Sequence, residues 1–199
     1  NNGSTNLSTG GTVIRMGSPD AGYQTVIGGS GNYGLNVVRN FRIDNPAGVR
    51  LRVPLSVSAN LNLWRGTFYN DSTLTIDNTK RGSGGTLSVT VITRRPFSAI
   101  EYPYSVGPTA TLDLKYEKDD DFNFKELIAG NEIPPSRTFN SLTVENLLGV
   151  TINDDIVVTA DVNPLVLTAG IVKLAPGKTV ICSSSVYPGT SGSVASFVD

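Results

Sequence analysis

Apolar and polar residues alternate in short runs between residues 142 and 182, and small turns separate these runs. Alternation over a few residues indicates a β-strand that buries one face. Six such runs fall within about forty residues, which leaves no room for a helix. The alternating apolar positions are Leu142/Val144, Val150/Ile152, Ile156/Val158/Ala160, Leu165/Leu167, Val172/Leu174 and Val180/Cys182.

The same pattern occurs upstream, between residues 41 and 76. The two copies match at an offset that drifts from about 101 to about 106 residues, so the chain contains an internal repeat. Turn residues match as well as apolar ones: Asn45 with Asn146, Gly48 with Gly149, and Gly66 with Gly170. Charged residues differ freely between the copies. We therefore interpret the repeat as a scaffold and not as a duplicated catalytic site.

The spacing of the strands predicts how the chain winds. In the first copy three strands are followed by three more about twenty residues later, and the second copy repeats this at about 23 residues. Three short strands per turn are typical of a parallel β-helix. We predict an all-β fold of parallel β-helix (solenoid) coils with an antiparallel β module. The alternative is a tandem of antiparallel β-sandwiches.

Changes in texture along the chain suggest four segments. Residues 1–11 form an Asn/Ser/Thr/Gly linker, and residues 12–85 form the first β-repeat unit. Residues 86–135 are predicted to form the interrupting antiparallel module, because Leu112, Leu114 and Tyr116 alternate with charged residues as in a solvated antiparallel strand. Residues 136–199 form the second β-repeat unit.

Composition narrows the range of possible functions. The net charge is −1 over 199 residues, which argues against a nucleic-acid partner. The chain has no histidine, so it lacks the commonest metal ligand and general base. A single cysteine permits no internal disulfide. We find no apolar run of the ~18 residues that a membrane span needs, and we predict no cofactor and no metal.

The second copy resembles a repeat of large cell-surface adhesins, which the type IX secretion system of gliding and related bacteria exports. The residues that carry the resemblance lie at 130–134, 141–146, 149–152, 156–159 and 165–170. The first copy is more divergent and has a basic outer face. The resemblance implies an extracellular stalk or adhesin without catalytic residues.

Four side chains are candidates for contact with a glycan or a partner. Arg42, Arg50 and Arg52 all point outward in the alternation and would form a basic stripe. Trp64 follows an inward leucine, so it also faces outward, where an indole can stack on a sugar ring. The competing interpretations are a solvated face that discourages strand pairing and a tryptophan buried under the adjoining module.

Carboxylates suggest two further candidates, each with a simpler interpretation. Asp154 and Asp155 resemble the paired acids of a polysaccharide hydrolase, but they lie in a predicted turn of a chain without histidine. The run Asp119, Asp120 and Asp121 has the oxygen ligands that calcium prefers, but it lacks the alternate spacing of a calcium loop. Both sets are more simply solvated turns.

These observations together predict a structural segment of an extracellular surface fibre or adhesin, and not an enzyme. The alternatives are a carbohydrate-binding module or, less favoured, a β-helix polysaccharide lyase or hydrolase. The expected partners are neighbouring repeat units or head-to-tail copies of the same protein, with surface glycans second. Cys182 occupies an inward position, so we expect its thiol to be unreactive.

Overall fold

The structure, a computed structural model, describes residues 13–16, 25–27, 37–81, 88–94, 98–118, 127–184 and 197–198. These residues wind into an all-β parallel solenoid. Each winding, called a coil below, contributes short strands to three faces. The predicted linker at residues 1–11 lies outside the described residues.

The described strands follow one another with short turns, and a single turn of 3₁₀ helix lies at Asn78–Arg81. In chain order the strands are β1 (Val13–Met16), β2 (Thr25–Ile27), β3 (Val37–Asp44), β4 (Val49–Leu51), β5 (Leu55–Asn70), β6 (Leu74–Ile76), β7 (Val89–Thr93), β8 (Ser98–Ile100), β9 (Ser105–Val106), β10 (Leu112–Tyr116), β11 (Leu127–Ile128), β12 (Thr138–Phe139), β13 (Ser141–Glu145), β14 (Val150–Ile152), β15 (Ile156–Val158), β16 (Leu165–Ala169), β17 (Val172–Leu174), β18 (Val180–Cys182) and β19 (Phe197–Val198).

The first face is the longest sheet. Within the described residues it stacks seven strands in the order β1, β3, β5, β7, β10, β13 and β16, and we number coils 1 to 7 by these strands. The second face carries β2, β4, the end of β5, and β8, and then β11, β14, β17 and β19. The third face carries the starts of β3 and β5, then β6 and β9, and then β12, β15 and β18.

Inward side chains stack in columns along the axis because parallel strands pair in register. One column on the first face joins register partners in six successive coils, and every member is buried: Phe41, Leu61, Val91, Leu114, Leu142 and Leu165. The predicted stacking of Phe41 on Leu61 is therefore confirmed. Alternation sends every second side chain of a strand into the core, where it joins a column of this kind, which explains why the sequence pattern predicted the fold.

The corner between the first and second faces has the same geometry in both copies. The side chain of Asn45 accepts a hydrogen bond from the Ala47 N–H at 3.0 Å, and its carbonyl accepts one from the Gly48 N–H at 2.8 Å. In the second copy Asn146 makes the matching two bonds at 2.9 and 2.8 Å, to Leu148 and Gly149. The two asparagines are buried, so these bonds satisfy polar groups that water does not reach.

The glycine one coil further on closes this corner. Gly66 and Gly170 have φ angles of +81° and +80°, in the region that glycine adopts at low cost. A Cβ at either position would lie 1.7 Å from the carbonyl oxygen of Asn45 or Asn146. Both the backbone angle and the close approach therefore require glycine.

The antiparallel elements predicted from the sequence are wrong. Every strand pair in the described part of residues 86–135 is parallel, including β7 with β10 and β10 with β13. Alternating apolar and charged residues in β10 indicate one buried face, but they do not report strand direction. Its outward charged side chains, Asp113 and Lys115, bind residues of neighbouring coils instead of being solvated alone. The sandwich alternative is excluded by the same parallel pairing.

Coils 4 and 5 join differently from the others. Their strands pair on the first face, whereas β8 and β11 on the second face, and β9 and β12 on the third, belong to different sheets. A side chain crosses the junction instead: the Asn131 amide donates to the carbonyls of Ile100 and Glu101, at 3.2 and 2.6 Å. We call this junction the seam.

Candidate functional site

The outward side chains near the corner of the first and second faces form the most elaborate surface that the structure describes. Trp64 lies at its centre, in coil 3. The guanidinium carbon of Arg42 lies 3.7 Å from the centre of the indole ring and that of Arg94 lies 3.0 Å from it. The two arginines come from coils 2 and 4, so they cover opposite sides of the ring. A sugar would have to displace a guanidinium to stack on Trp64.

Asp44 holds the first of these arginines in place. Its carboxylate is fully buried and accepts hydrogen bonds from Arg42 Nη2 at 3.0 Å and from Arg65 Nε at 2.7 Å. Two cations compensate the cost of burying this charge. The alternation of the sequence predicted an outward Arg42 in a basic stripe and gave no indication of Asp44. The available signal was the Arg-x-Asp spacing at residues 42 and 44, with a basic residue one coil later.

From Arg94, a series of ion pairs continues toward coil 6. Arg94 binds Glu117 at 2.8 Å, and Lys115 binds both Glu117 at 3.1 Å and Glu145 at 2.9 Å. Burial alone lowers the pKa of Lys115, but the hydrogen bonds to Glu145 and Glu117 outweigh it and raise that pKa. We call the whole set the ladder, and it links coils 2 to 6: Arg42, Asp44, Trp64, Arg65, Arg94, Lys115, Glu117 and Glu145.

The other two arginines of the predicted stripe lie on or beside the second face. Arg50 forms an ion pair with Asp71, and its guanidinium lies 4.8 Å from the centre of the Tyr69 ring. Arg52 is exposed, and no described residue forms an ion pair with it. The structure therefore divides the three arginines between two faces, with Arg42 in the ladder and Arg50 and Arg52 elsewhere.

A groove of about 210 Å³ lies beside the ladder on the first face. Its lining comes from coils 2, 3 and 4 and consists of Asn40, Phe41, Asn60, Asn62 and Ile92. Asn60 Nδ2 donates to Asn40 Oδ1 at 2.6 Å, which fixes the two amides across neighbouring strands. These asparagines were not among the candidate residues predicted from the sequence. The signal was that Asn40, Asn60 and Asn62 all occupy outward positions of paired strands.

Asp154 and Asp155 lie in a surface turn, as predicted, and each contacts another coil. Asp154 pairs with Arg137 at 3.3 Å. Asp155 accepts hydrogen bonds from the Thr179 hydroxyl at 3.0 Å and from its N–H at 2.9 Å. These bonds, the hydroxyl first, lower the pKa of Asp155 below its ordinary value. The two acids thus fasten turns in successive coils.

Glu132 is a buried carboxylate that was not predicted from the sequence. Its Oε1 accepts hydrogen bonds from the Tyr116 hydroxyl at 3.0 Å and the Gly130 N–H at 2.9 Å. Its backbone carbonyl accepts one from the Tyr104 hydroxyl at 2.6 Å. Burial, and secondarily the charge of Glu132, raise the pKa of Tyr104. This network lies beside the seam and ties coils 4 and 5 together inside the solenoid.

Cys182 points toward the core but is only half-buried. Burial raises the pKa of its thiol, as expected for an unreactive cysteine, and its reactivity stays a prediction. Among the residues that the structure describes, no three His, Cys, Asp or Glu side chains cluster in a way that would hold a metal ion. Asp119, Asp120 and Asp121 lie outside those residues.

No family model, no curated protein and no solved structure matches this chain. The resemblance to surface adhesins therefore stays a prediction. None of the helices in the described part of the chain is long and apolar enough to cross a membrane.

Proposed function

We propose that this chain is a stalk segment of an extracellular surface fibre or adhesin, which extends the fibre and carries tension along it. Resemblance to adhesin repeats supports the location and export by type IX secretion. The solenoid supports the mechanical role. Its proposed partners are neighbouring repeat units or head-to-tail copies, since a solenoid exposes unpaired strand edges where a coil stack ends.

The observation that carries the proposal is the unbroken first face. Seven described strands stack there in parallel, and at a spacing of about 4.8 Å they extend for roughly 29 Å. The hydrogen bonds between strands run along this direction, so tension along the axis loads many of them. The ladder adds side-chain contacts along the same line, through coils 2 to 6.

The use of charged side chains supports the same conclusion. Asp44, Glu117, Asp154 and Asp155 each bind a cation or a hydroxyl from another coil. Carboxylates that fasten coils contribute to cohesion. The proposal assigns no catalytic step to this chain. Turnover of a polysaccharide that disappears in an Asp154→Ala/Asp155→Ala double variant would contradict it and favour a hydrolase.

The location is tested on intact cells that produce the protein. Antibodies against the solenoid should label unpermeabilised cells, and a protease added outside should remove that label. A cytoplasmic marker protein that stays intact in the same cells is the control. Label that appears only after permeabilisation would exclude a surface stalk.

Pulling on single molecules tests the mechanical role. With handles at the two ends of the solenoid, unfolding should release chain in steps of one or more coils. One coil is 23 residues long between the register partners Leu142 and Leu165, which gives roughly 80 Å of extended chain. Extension at negligible force, without discrete steps, would contradict a load-bearing segment.

A further inference from the structure

The proposed stalk function does not account for the groove on the first face. Asn40 and Asn60 are register partners in β3 and β5, and Asn62 and Ile92 are register partners in β5 and β7. Three carboxamides and one aliphatic side chain thus meet on neighbouring strands. The sheet holds their backbones at fixed spacing, so the groove is preorganised.

Two buried polar atoms at this place have no hydrogen-bond partner among the described residues. They are Asn62 Oδ1, in the groove lining, and Nε of Arg42, which lies outside the lining and is the register partner of Asn62 in the preceding coil. An acceptor and a donor left unpaired destabilise the protein, and such atoms are rare in native structures. A hydroxyl group bound in the groove would donate to Asn62 Oδ1 and remove that atom's share of the cost.

The chemistry of the lining indicates which molecule fits. Each carboxamide offers both a donor and an acceptor, which matches the hydroxyl groups around a sugar ring. Ile92 provides apolar contact for C–H groups of the ring. None of the five lining side chains carries a charge, and the neighbouring Arg42 shares the carboxylate of Asp44 with Arg65.

The size of the groove points to a small ligand. Its volume of about 210 Å³ is below the roughly 300–1,000 Å³ of sites for drug-sized molecules. We propose that this groove binds one ring of a neutral saccharide through Asn60, Asn62 and Ile92. The Trp64 ring takes no part by stacking, because guanidinium groups cover both of its sides.

Methyl NMR of the whole protein with labelled isoleucines tests the proposal. Lactose, cellobiose and diacetylchitobiose are titrated separately as neutral probes, and glucuronic acid as a charged one. We expect at least one neutral disaccharide to shift the Ile92 methyl signal in a saturable way, while the distant, exposed Ile128 and Ile181 stay unchanged. An Ile92→Val variant assigns the signal.

Variants then identify the residues responsible. Asn62→Ala should weaken binding about tenfold, the factor that corresponds to 1.4 kcal/mol. Asn60→Ala is an independent second test in case the first variant unfolds. Asn153→Ala removes an exposed amide in a remote turn and should bind as the unaltered protein does.

Three results would overturn the proposal. The first is that no neutral probe shifts Ile92 at millimolar concentration. The second is that both groove variants bind as tightly as Asn153→Ala. The third is that glucuronic acid binds more tightly than every neutral sugar, which would assign the site to an anionic ligand attracted by Arg42.

Discussion

The two copies of the repeat share their corners and differ on their outer face. Asn45 and Asn146 make the same two hydrogen bonds, and Gly66 and Gly170 have φ angles within one degree of each other. These residues satisfy backbone groups or occupy space that a side chain would fill. The features that repeat are therefore the ones that the winding of the backbone demands.

The winding of the backbone does not determine which residues lie on the outer face. Where the first copy has Arg42, Trp64 and Arg65, the matching positions of the second copy hold Thr143, Thr168 and Ala169. The first copy accordingly builds the lower half of the ladder, and the second copy contributes to it only through Glu145. On this face, surface side chains thus fasten the first copy across several coils, whereas the second copy takes part only at Glu145.

The largest expected effect comes from the shared corner. Gly66→Ala and Gly170→Ala should each lower the free energy of unfolding by more than about 3 kcal/mol, because the new Cβ would collide with a backbone oxygen. The matched control is Gly177→Ala. Its φ is +75° but nothing lies within 4 Å of the position that a Cβ would occupy, so only strain of about 1 kcal/mol is expected. Urea unfolding measures all three, and equal losses would contradict the close approach.

Removing the centre of the ladder should cost less. Trp64→Thr gives the first copy the residue of the second, and it should lower the unfolding free energy by about 2 kcal/mol through lost packing and cation–π contacts. Val166→Thr, at a half-buried outward position of β16, is the control and should change stability by under about 0.5 kcal/mol. A Trp64 variant as stable as the control would show that the ladder does not stabilise the first copy.

The corner asparagines should give a smaller loss that is equal in the two copies. Asn45→Ala and Asn146→Ala each leave one backbone N–H without its side-chain acceptor, which should cost about 1 kcal/mol. Thermal unfolding of both variants beside Asn153→Ala measures the difference. Clearly unequal losses would mean that the two corners are not equivalent in energy.

The smallest effect concerns a contact that only the second copy has. Asp155 binds Thr179, whereas Pro54 and Thr73 stand at the matching positions of the first copy. The lowered pKa of Asp155 means that its contribution is present above the ordinary value of 3.8 and is lost as pH falls through its folded-state pKa. Asp155→Ala should therefore destabilise the protein slightly near neutral pH.

At strongly acidic pH the Asp155→Ala variant and the unaltered protein should unfold at the same urea concentration. A difference that persists there would assign the effect to something other than the carboxylate charge. Exposed contacts of this kind are weak, so the measurement needs replicate titrations.

The winding was predictable because it depends on positions with a strict period. Phe41 and Leu61 fall on the buried side of strands whose spacing equals one turn, and that spacing alone placed them in one column. Strand direction was not predictable for Leu112, Leu114 and Tyr116. Parallel and antiparallel strands with one buried side have the same alternation, so the pattern holds no information on direction.

The candidate site was predictable only as a set of outward residues. Alternation placed Arg42 and Trp64 on the surface, but it did not show that a second arginine, Arg94, covers the other side of the indole. Arg94 lies thirty residues beyond Trp64 in the chain, which is longer than the coil spacing of about twenty residues in the first copy. Which side chains meet between coils depends on such differences in length, and neither composition nor the alternation period predicts those contacts.

The seam is the junction at which we expect the solenoid to separate first under tension. In a linear array, stability is the sum of what each unit contributes and what each neighbour adds, and at the seam the strand pairing between neighbours is confined to one of the three faces. Under tension we expect coils 1 to 4 and coils 5 to 7 to part there first, each remaining folded as a block. A fibre that repeated this arrangement would lengthen in reversible steps under a sudden load, before any block unfolds.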